Sequence, residues 1–376
     1  MGSLITAPST SLVIDSIDTT VVARRYVRPF GISSGSSEVL ASLLVQVVAG
    51  DRVGFGEASP MTAYTGETLD GLKSTVEQLL APALIGRELH GIAGANAVMD
   101  ATVRGQHLAK AAIDIALHDL VGTMAGLPVH ALLGGAARPI VPIAWVVGLG
   151  EIAEVVDEAV EYAARGFTHI KVKGGVDPQR DLRLVRALRD ALPDGVETSL
   201  DANEAYSRSD ALPALLGMDD AGLSMVEQPL PRWDLRGLAE LRRRLRMRVM
   251  VDESVQSIHD ALAVIRADAA DIINIKVLKV GGLFRARQIV GLAEAAGLAV
   301  KVGSMPELGV ATLAALHLAA TTPAGSVPGD LIGPMMVERD RTAPDVFDAG
   351  RGGSLSTPTG PGLGHRVSRG FRGVSE

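Results

Sequence analysis

The chain has 376 residues, no cysteine and a net charge of −7. That length accommodates two domains, or one barrel with an addition. The absence of cysteine excludes disulfides, thiolate metal sites and cysteine nucleophiles, and the acidic balance argues against nucleic acid or an anionic membrane as a partner. There is no run of about 18 apolar residues and no charged start followed by an apolar stretch, so a soluble, cytoplasmic protein is expected. Met1-Gly2-Ser3-Leu4-Ile5-Thr6 matches the bare myristoylation pattern. A start without regular structure is the plainer interpretation.

Residues 11–60 read as β. Leu12 to Arg24 alternates loosely, Val39 to Val48 is apolar and β-branched, and Val53 to Ala58 follows the turn Ala49-Gly50-Asp51. Tyr26 to Ser37, rich in Gly and Ser, reads as a mobile loop. A second loop, Ser59 to Glu67, leads into a helix. Helical spacing then covers about Leu69 to Leu84 and Leu108 to Met124, which makes the first part an α+β unit. Asp114 and Asp119 lie within the very apolar second helix and are expected to bond to a neighbouring segment.

From Val141 the pattern becomes strand, loop, helix, repeated. Short apolar runs occur at Pro142 to Val147, Thr168 to Lys173, Thr198 to Ala202, Ser224 to Glu227, Val249 to Asp252, Ile272 to Lys276, Leu298 to Val302 and, weakly, Val327 to Leu331. Units about 25 residues apart predict a (β/α)8-type barrel rather than a doubly wound sheet. The Gly- and Pro-rich end is expected to leave the barrel and return to the first unit. The resulting division is 1–138, 139–335 and 336–376.

Phe167-Thr168-His169-Ile170-Lys171-Val172-Lys173 ends on two lysines in i, i+2 relation, which point to one side of a strand. Alone, this reads as an exposed edge strand protected by lysine. The following strands change that reading. Asp201, Glu227, Asp252 and Lys276 end four successive strands, at intervals of 28, 26, 25 and 24 residues counted from Lys173. In a barrel such C-terminal ends form the catalytic mouth. Three carboxylates gathered there repel one another unless a cation sits between them, and all-oxygen ligands favour Mg2+ or Mn2+ over zinc. Lysines on either side of such a centre suit proton transfer at the carbon α to a substrate carboxylate, through an enediolate. A neighbouring cation and the metal are expected to lower the lysine pKa. Each residue also has a plainer role: Asp201 and Asp252 as helix caps, Glu227 as a strand exit, Lys276 as a snorkelling surface residue. Five charged strand ends in register are hard to reconcile with those roles together.

Lys171-Val172-Lys173, Asp201-Ala202-Asn203, Glu227-Gln228-Pro229, Asp252-Glu253-Ser254 and Asn274-Ile275-Lys276-Val277-Leu278-Lys279-Val280-Gly281-Gly282 together resemble the enolase superfamily, in its muconate lactonizing enzyme subgroup. The resemblance covers nearly the whole chain. It implies an α/β fold, a modified TIM barrel (β/α)7β with an N-terminal α+β capping domain completed by the C-terminal segment. It implies Mg2+ on Asp201, Glu227 and Asp252, acid–base lysines at Lys173 and Lys276, and support from Lys171, Asn203, Asp330 and Glu307. Cap loops carrying Phe30, Ile32 and Tyr64 would set specificity.

The place where mandelate racemase-like members carry a histidine reads Lys301-Val302-Gly303-Ser304-Met305. Dipeptide epimerases carry an Asp-x-Asp pair where this chain has Asp330-Leu331-Ile332, and Tyr206 stands where a Trp is frequent. Asp330-Leu331-Ile332-Gly333-Pro334 and Ser304-Met305-Pro306-Glu307 are similar to cycloisomerase stretches, with substitutions. The implied activity is a Mg2+-dependent isomerase, muconate cycloisomerase-like. Racemisation or epimerisation of an N-acyl amino acid, dipeptide or betaine is also open, followed by an o-succinylbenzoate synthase-like dehydration. A barrel that only binds is the non-enzymatic alternative. The implied partners are a small carboxylate substrate and further copies of the chain.

Overall fold

The computed structural model describes residues 12–32, 35–323, 325–340, 342, 346–347 and 352–364. Three antiparallel strands open it: β1 (Ser16–Ile32), β2 (Gly35–Ala49) and β3 (Arg52–Ala58), in the order β1-β2-β3. The stretch from Tyr26 to Ser37 is therefore largely hairpin rather than loop. Pairing shifts register between Arg25 and Phe30 and resumes at Phe30↔Ser37, and this irregularity absorbs the Gly- and Ser-rich segment without ending the ladder. The side chains of Phe30 and Ile32 lie outside the described residues.

Helix α1 (His107–Ala125) packs across this sheet. Gly54 and Gly56 make that possible, because a Cβ at either position would run into the α1 backbone at Ala116 or Ala112. As expected, the acids of α1 bond outward. Asp119 accepts from Phe55 N at 2.9 Å and Leu363 N at 2.8 Å, and Asp114 accepts from Asn96 Nδ2 at 2.8 Å. Asp119 thus ties both β3 and the C-terminal segment to the cap. That segment also pairs Ser354–Ser356 with Ile140–Pro142.

The second layer is a curled sheet of seven parallel strands: β4 (Trp145–Val147), β5 (His169–Lys173), β6 (Glu197–Asp201), β7 (Met225–Glu227), β8 (Arg248–Val251), β9 (Ile272–Lys276) and β10 (Ala299–Gly303), paired in sequence order. The weak eighth run forms no regular strand. It makes isolated parallel bridges, Val327 to Lys301 and Gly329 to Ile143, that join the two edges of the sheet. Pro328 between them lacks the N–H that a ladder requires.

Asp177, Ser207, Asp234 and Ser257 cap the helices after β5 to β8 with their side chains. Asp201 and Asp252 are therefore not needed as caps. In the described residues no helix is long and apolar enough to cross a membrane.

The cap meets the barrel through Glu57, at the end of β3. Its carboxylate accepts from Leu308 N at 2.6 Å and Ala311 N at 3.0 Å, at the start of helix α2 (Gly309–Ala320). These are backbone N–H groups that a helix start leaves without internal partners.

Candidate active site

Inward side chains alternate along each barrel strand, so one charged layer forms at the C-terminal ends. Lys171, Lys173, Asp201, Glu227, Asp252, Lys276 and Asp330 are all buried and meet there. Lys171 Nζ lies 2.9 Å from Asp201 Oδ2, 2.8 Å from Glu227 Oε2 and 3.0 Å from Asp330 Oδ2. Lys173 Nζ donates to Asp201 Oδ2 at 2.7 Å and to Asn203 Oδ1 at 3.0 Å. Lys276 Nζ lies 2.7 Å from Asp252 Oδ2, off the hydrogen-bonding direction, and 4.7 Å from the centre of the Tyr64 ring. Each predicted ligand thus already touches an ammonium group. Among the described residues, no three acidic or histidine side chains are grouped to hold an ion as they stand.

Electrostatics follows from these contacts. Burial opposes charge on Asp201, but the ammonium groups of Lys171 and Lys173 overcome it and hold the carboxyl well below its usual range. Burial likewise opposes charge on Asp252, where Lys276 and Lys279 win. The expected lowering of a lysine pKa rests on the metal as well as on a neighbouring cation, and at Lys276 the protein's own charges act in the other direction. Burial favours the neutral amine, yet the adjacent Asp252 carboxylate raises the pKa above the ordinary lysine value. The opposite charge is nearer than any like charge. Glu253 is pushed up to about 8 by burial and by the charges of Asp252 and Asp201. It accepts from Asn203 Nδ2 at 2.9 Å.

Backbone geometry supports the mouth. Asn203 and Gln228, two residues and one residue beyond their strand ends, sit at φ 44° and 39°, where residues with a side chain are uncommon. Gln228 Oε1 accepts from Asp252 N at 2.9 Å and Ser254 N at 3.1 Å, fixing the turn that carries Asp252.

A cavity of about 570 Å3, including its open mouth, lies over this layer. Lys171, Lys173, Lys276, Asn203, Asp330 and Tyr64 line it. Glu307 is buried behind the lining, accepting from Met305 N at 3.2 Å, with Oε1 lacking a hydrogen-bond partner. The cap hairpin reaches the rim through Val27 N, which donates to the carbonyl of Met336, a lining residue, at 2.8 Å.

Three residues belong to this site without an assigned role in the sequence. Lys279 Nζ lies 2.7 Å from Asp252 Oδ1 and donates to Asn274 O at 2.9 Å. Asn274 Nδ2 donates to Glu227 Oε1 at 2.8 Å. Lys301, fully buried on β10, lies 2.8 Å from Asp330 Oδ1 and 3.5 Å from Glu227 Oε2. The signal for Lys301 was present: Val300-Lys301-Val302 repeats the inward-lysine alternation of Ile170-Lys171-Val172.

Known proteins share this architecture. The family described as mandelate racemase/muconate lactonizing enzyme, N-terminal domain, matches residues 16–134, and the family described as enolase C-terminal domain-like matches 154–370. Muconate cycloisomerase 1 of Rhodococcus opacus is 35% identical over 360 residues, covering 94% of this chain and 96% of its own. The muconate lactonizing enzyme of Pseudomonas fluorescens, solved with muconolactone, has a TM-score of 0.91 at 31% identity, covering 95% and 97% of the two chains. A dipeptide epimerase of Cytophaga hutchinsonii, solved with Mg and D-Ala-L-Val, has a TM-score of 0.90 at 30% identity, covering 96% and 97%.

Proposed function

The chain belongs to the mandelate racemase/muconate lactonizing enzyme family of the enolase superfamily, and from that membership we propose that it is a Mg2+-dependent isomerase that moves a proton at the carbon α to a substrate carboxylate. The observation that carries this reading is the placement of Lys173 and Lys276. Both line one cavity, with three strands between theirs in the curled sheet, and each is anchored on a different acid, Asp201 or Asp252. Two amines reaching one substrate from opposite sides can remove and return a proton.

Asp201, Glu227 and Asp252 would hold the cation. They fit it: their donors are all oxygen, they are fully buried, and they end neighbouring strands. Mg2+ is the ion of choice, and Mn2+ has the same preference for oxygen. When bound, the ion supplies positive charge where negative charge builds on the substrate carboxylate.

The remaining roles fall to the chain itself. Lys276, held by Asp252 at 2.7 Å, is placed to donate. Lys173 stands on the other side, oriented by Asn203. Lys171 presents a fixed positive charge to the substrate carboxylate, and Tyr64 closes the cavity from the cap. Asp330 fixes Lys171, and Glu307 backs the Met305 wall. Phe30 and Ile32 belong to the cap hairpin that sets specificity. The chain divides as 1–138 (cap), 139–335 (barrel) and 336–376 (return to the cap), and it works on small carboxylates as a cytoplasmic homo-oligomer. Cycloisomerisation of a muconate-like diacid uses one lysine; racemisation or epimerisation uses both. Two lysines in the cavity are compatible with either, and cycloisomerisation is the first reading, with racemisation or epimerisation as the alternative.

The test is α-proton exchange in D2O with Mg2+, across muconates, dipeptides, N-acyl amino acids and betaines. Exchange or product formation is expected with at least one class, and it should vanish in the Lys173→Ala/Lys276→Ala double variant. Activity that survives in that variant overturns the assignment.

A further inference from the structure

The cavity wall carries one acid among the described residues, Asp330, and that acid is already taken. Lys171 holds Oδ2 at 3.0 Å, and Lys301 lies 2.8 Å from Oδ1. Lys301 is completely buried, does not line the cavity and has no place in the proton transfer. In the ion-paired layer five lysines (171, 173, 276, 279 and 301) face four acids (201, 227, 252 and 330). A substrate ammonium entering here finds three lysines on the wall and no free carboxylate. Away from the lysines the wall is mostly apolar, with Met61, Val146, Met305, Pro306, Ile332 and Met336, and the Ser304 hydroxyl is engaged with the Asp330 carbonyl at 2.6 Å. Such a surface pairs with an apolar group and gives a second charge nothing to bind.

Resting on the reading above, we propose that Lys301 is a positioning residue for substrate choice. By neutralising Asp330 from beneath, it makes the site select a carboxylate whose remainder is apolar and lacks an ammonium group, such as an N-acylated hydrophobic amino acid. This is selection by built-in repulsion as well as by fit. In Lys301→Met the side chain keeps its bulk and loses its charge, so Asp330 is offset by Lys171 alone and a substrate cation at the wall meets one positive charge fewer.

The test compares two ligands that differ only by the ammonium: N-propionyl-L-phenylalanine and L-alanyl-L-phenylalanine. Their Kd values are measured by calorimetry on the full chain with saturating Mg2+, and α-proton exchange is followed in D2O. Wild type should bind the propionyl ligand at least tenfold more tightly. Lys301→Met should cut that ratio at least tenfold, chiefly by tightening the dipeptide. A purely structural role would weaken both ligands alike and leave the ratio intact. Lys301→Gln serves if the Met variant does not fold, and the wild-type ratio tests the substrate class by itself. Equal or tighter dipeptide binding by wild type, an unchanged ratio in the folded variant, no binding of the propionyl ligand, or preference for cis,cis-muconate each overturns the inference. Tight propionyl binding with the expected ratio but no exchange overturns instead the proton-transfer reading.

Discussion

The Tyr64 hydroxyl donates a 2.8 Å hydrogen bond to Asp252 Oδ1, so a cap residue grips an acid at a barrel strand end. The same ring lies against the Lys276 ammonium, 4.7 Å from its centroid. One side chain thereby fixes the position of both members of the Asp252–Lys276 pair. It also closes the cavity from above.

Tyr64→Phe separates these two contacts, since the ring stays and the hydroxyl goes. A hydrogen bond to a charged group contributes about 1.5–3 kcal/mol, so kcat/KM should fall by roughly ten- to a hundredfold. Tyr64→Ala loses the cation–π contact as well and should fall further. Steady-state kinetics on the three proteins checks the order. A Phe variant with wild-type kcat/KM would show that the cap contact is not used in turnover.

Chelation should abolish turnover and leave the fold. Asp201 has Lys173 at 2.7 Å and Lys171 at 2.9 Å, Glu227 has Lys171 at 2.8 Å, and Asp252 has Lys276 and Lys279 at 2.7 Å. None is therefore left as a bare buried charge, the condition that makes loss of a partner so costly. EDTA-treated protein should keep its far-UV circular dichroism and its cooperative melt. Added Mg2+ should raise Tm by simple binding linkage and restore activity in parallel. Unfolding on chelation would sink the view that the lysines stabilise this layer without the metal.

Much of this arrangement is legible in the sequence because the barrel repeats. A charge at the same place in five successive units is a signal that no single residue carries, and it located Lys171, Lys173, Asp201, Glu227, Asp252 and Lys276. What was not legible depends on contacts between units. Lys301 ends no strand, and its meaning comes from Asp330, which lies on a different segment of the chain. Glu57 is one acid in an apolar strand until α2 brings its N-terminus to it. The hairpin across Tyr26 to Ser37 defeats composition because its irregularity, not its residue content, decides the pairing. Strand order likewise gives the neighbours of Lys276 but not that Asp252 lies 2.7 Å from it.

His317 makes acid stability a direct test of how the C-terminal segment is held. It is fully buried in α2; Nδ1 accepts from His130 N at 3.2 Å, and Nε2 donates to Leu363 O at 3.2 Å. Accepting at one nitrogen while donating at the other requires the neutral ring. Burial lowers its pKa from 6.5 to about 4. A histidine depressed in the fold binds its proton more readily when unfolded, so stability is lost as pH falls from about 6.5 to about 4. That shift corresponds to about 3 kcal/mol. Glu57 works in the opposite sense: burial raises it from 4.5 to about 7, so its contribution declines as pH rises over that range. The two slopes oppose each other where they overlap, and a wild-type curve alone hides both. The difference between wild type and His317→Gln removes the Glu57 contribution, which is common to the two proteins. Urea denaturation at pH 7 and pH 4 should show the wild-type advantage shrinking by about 3 kcal/mol at the lower pH. A difference that stays constant between those two pH values would mean that His317 does not titrate with unfolding.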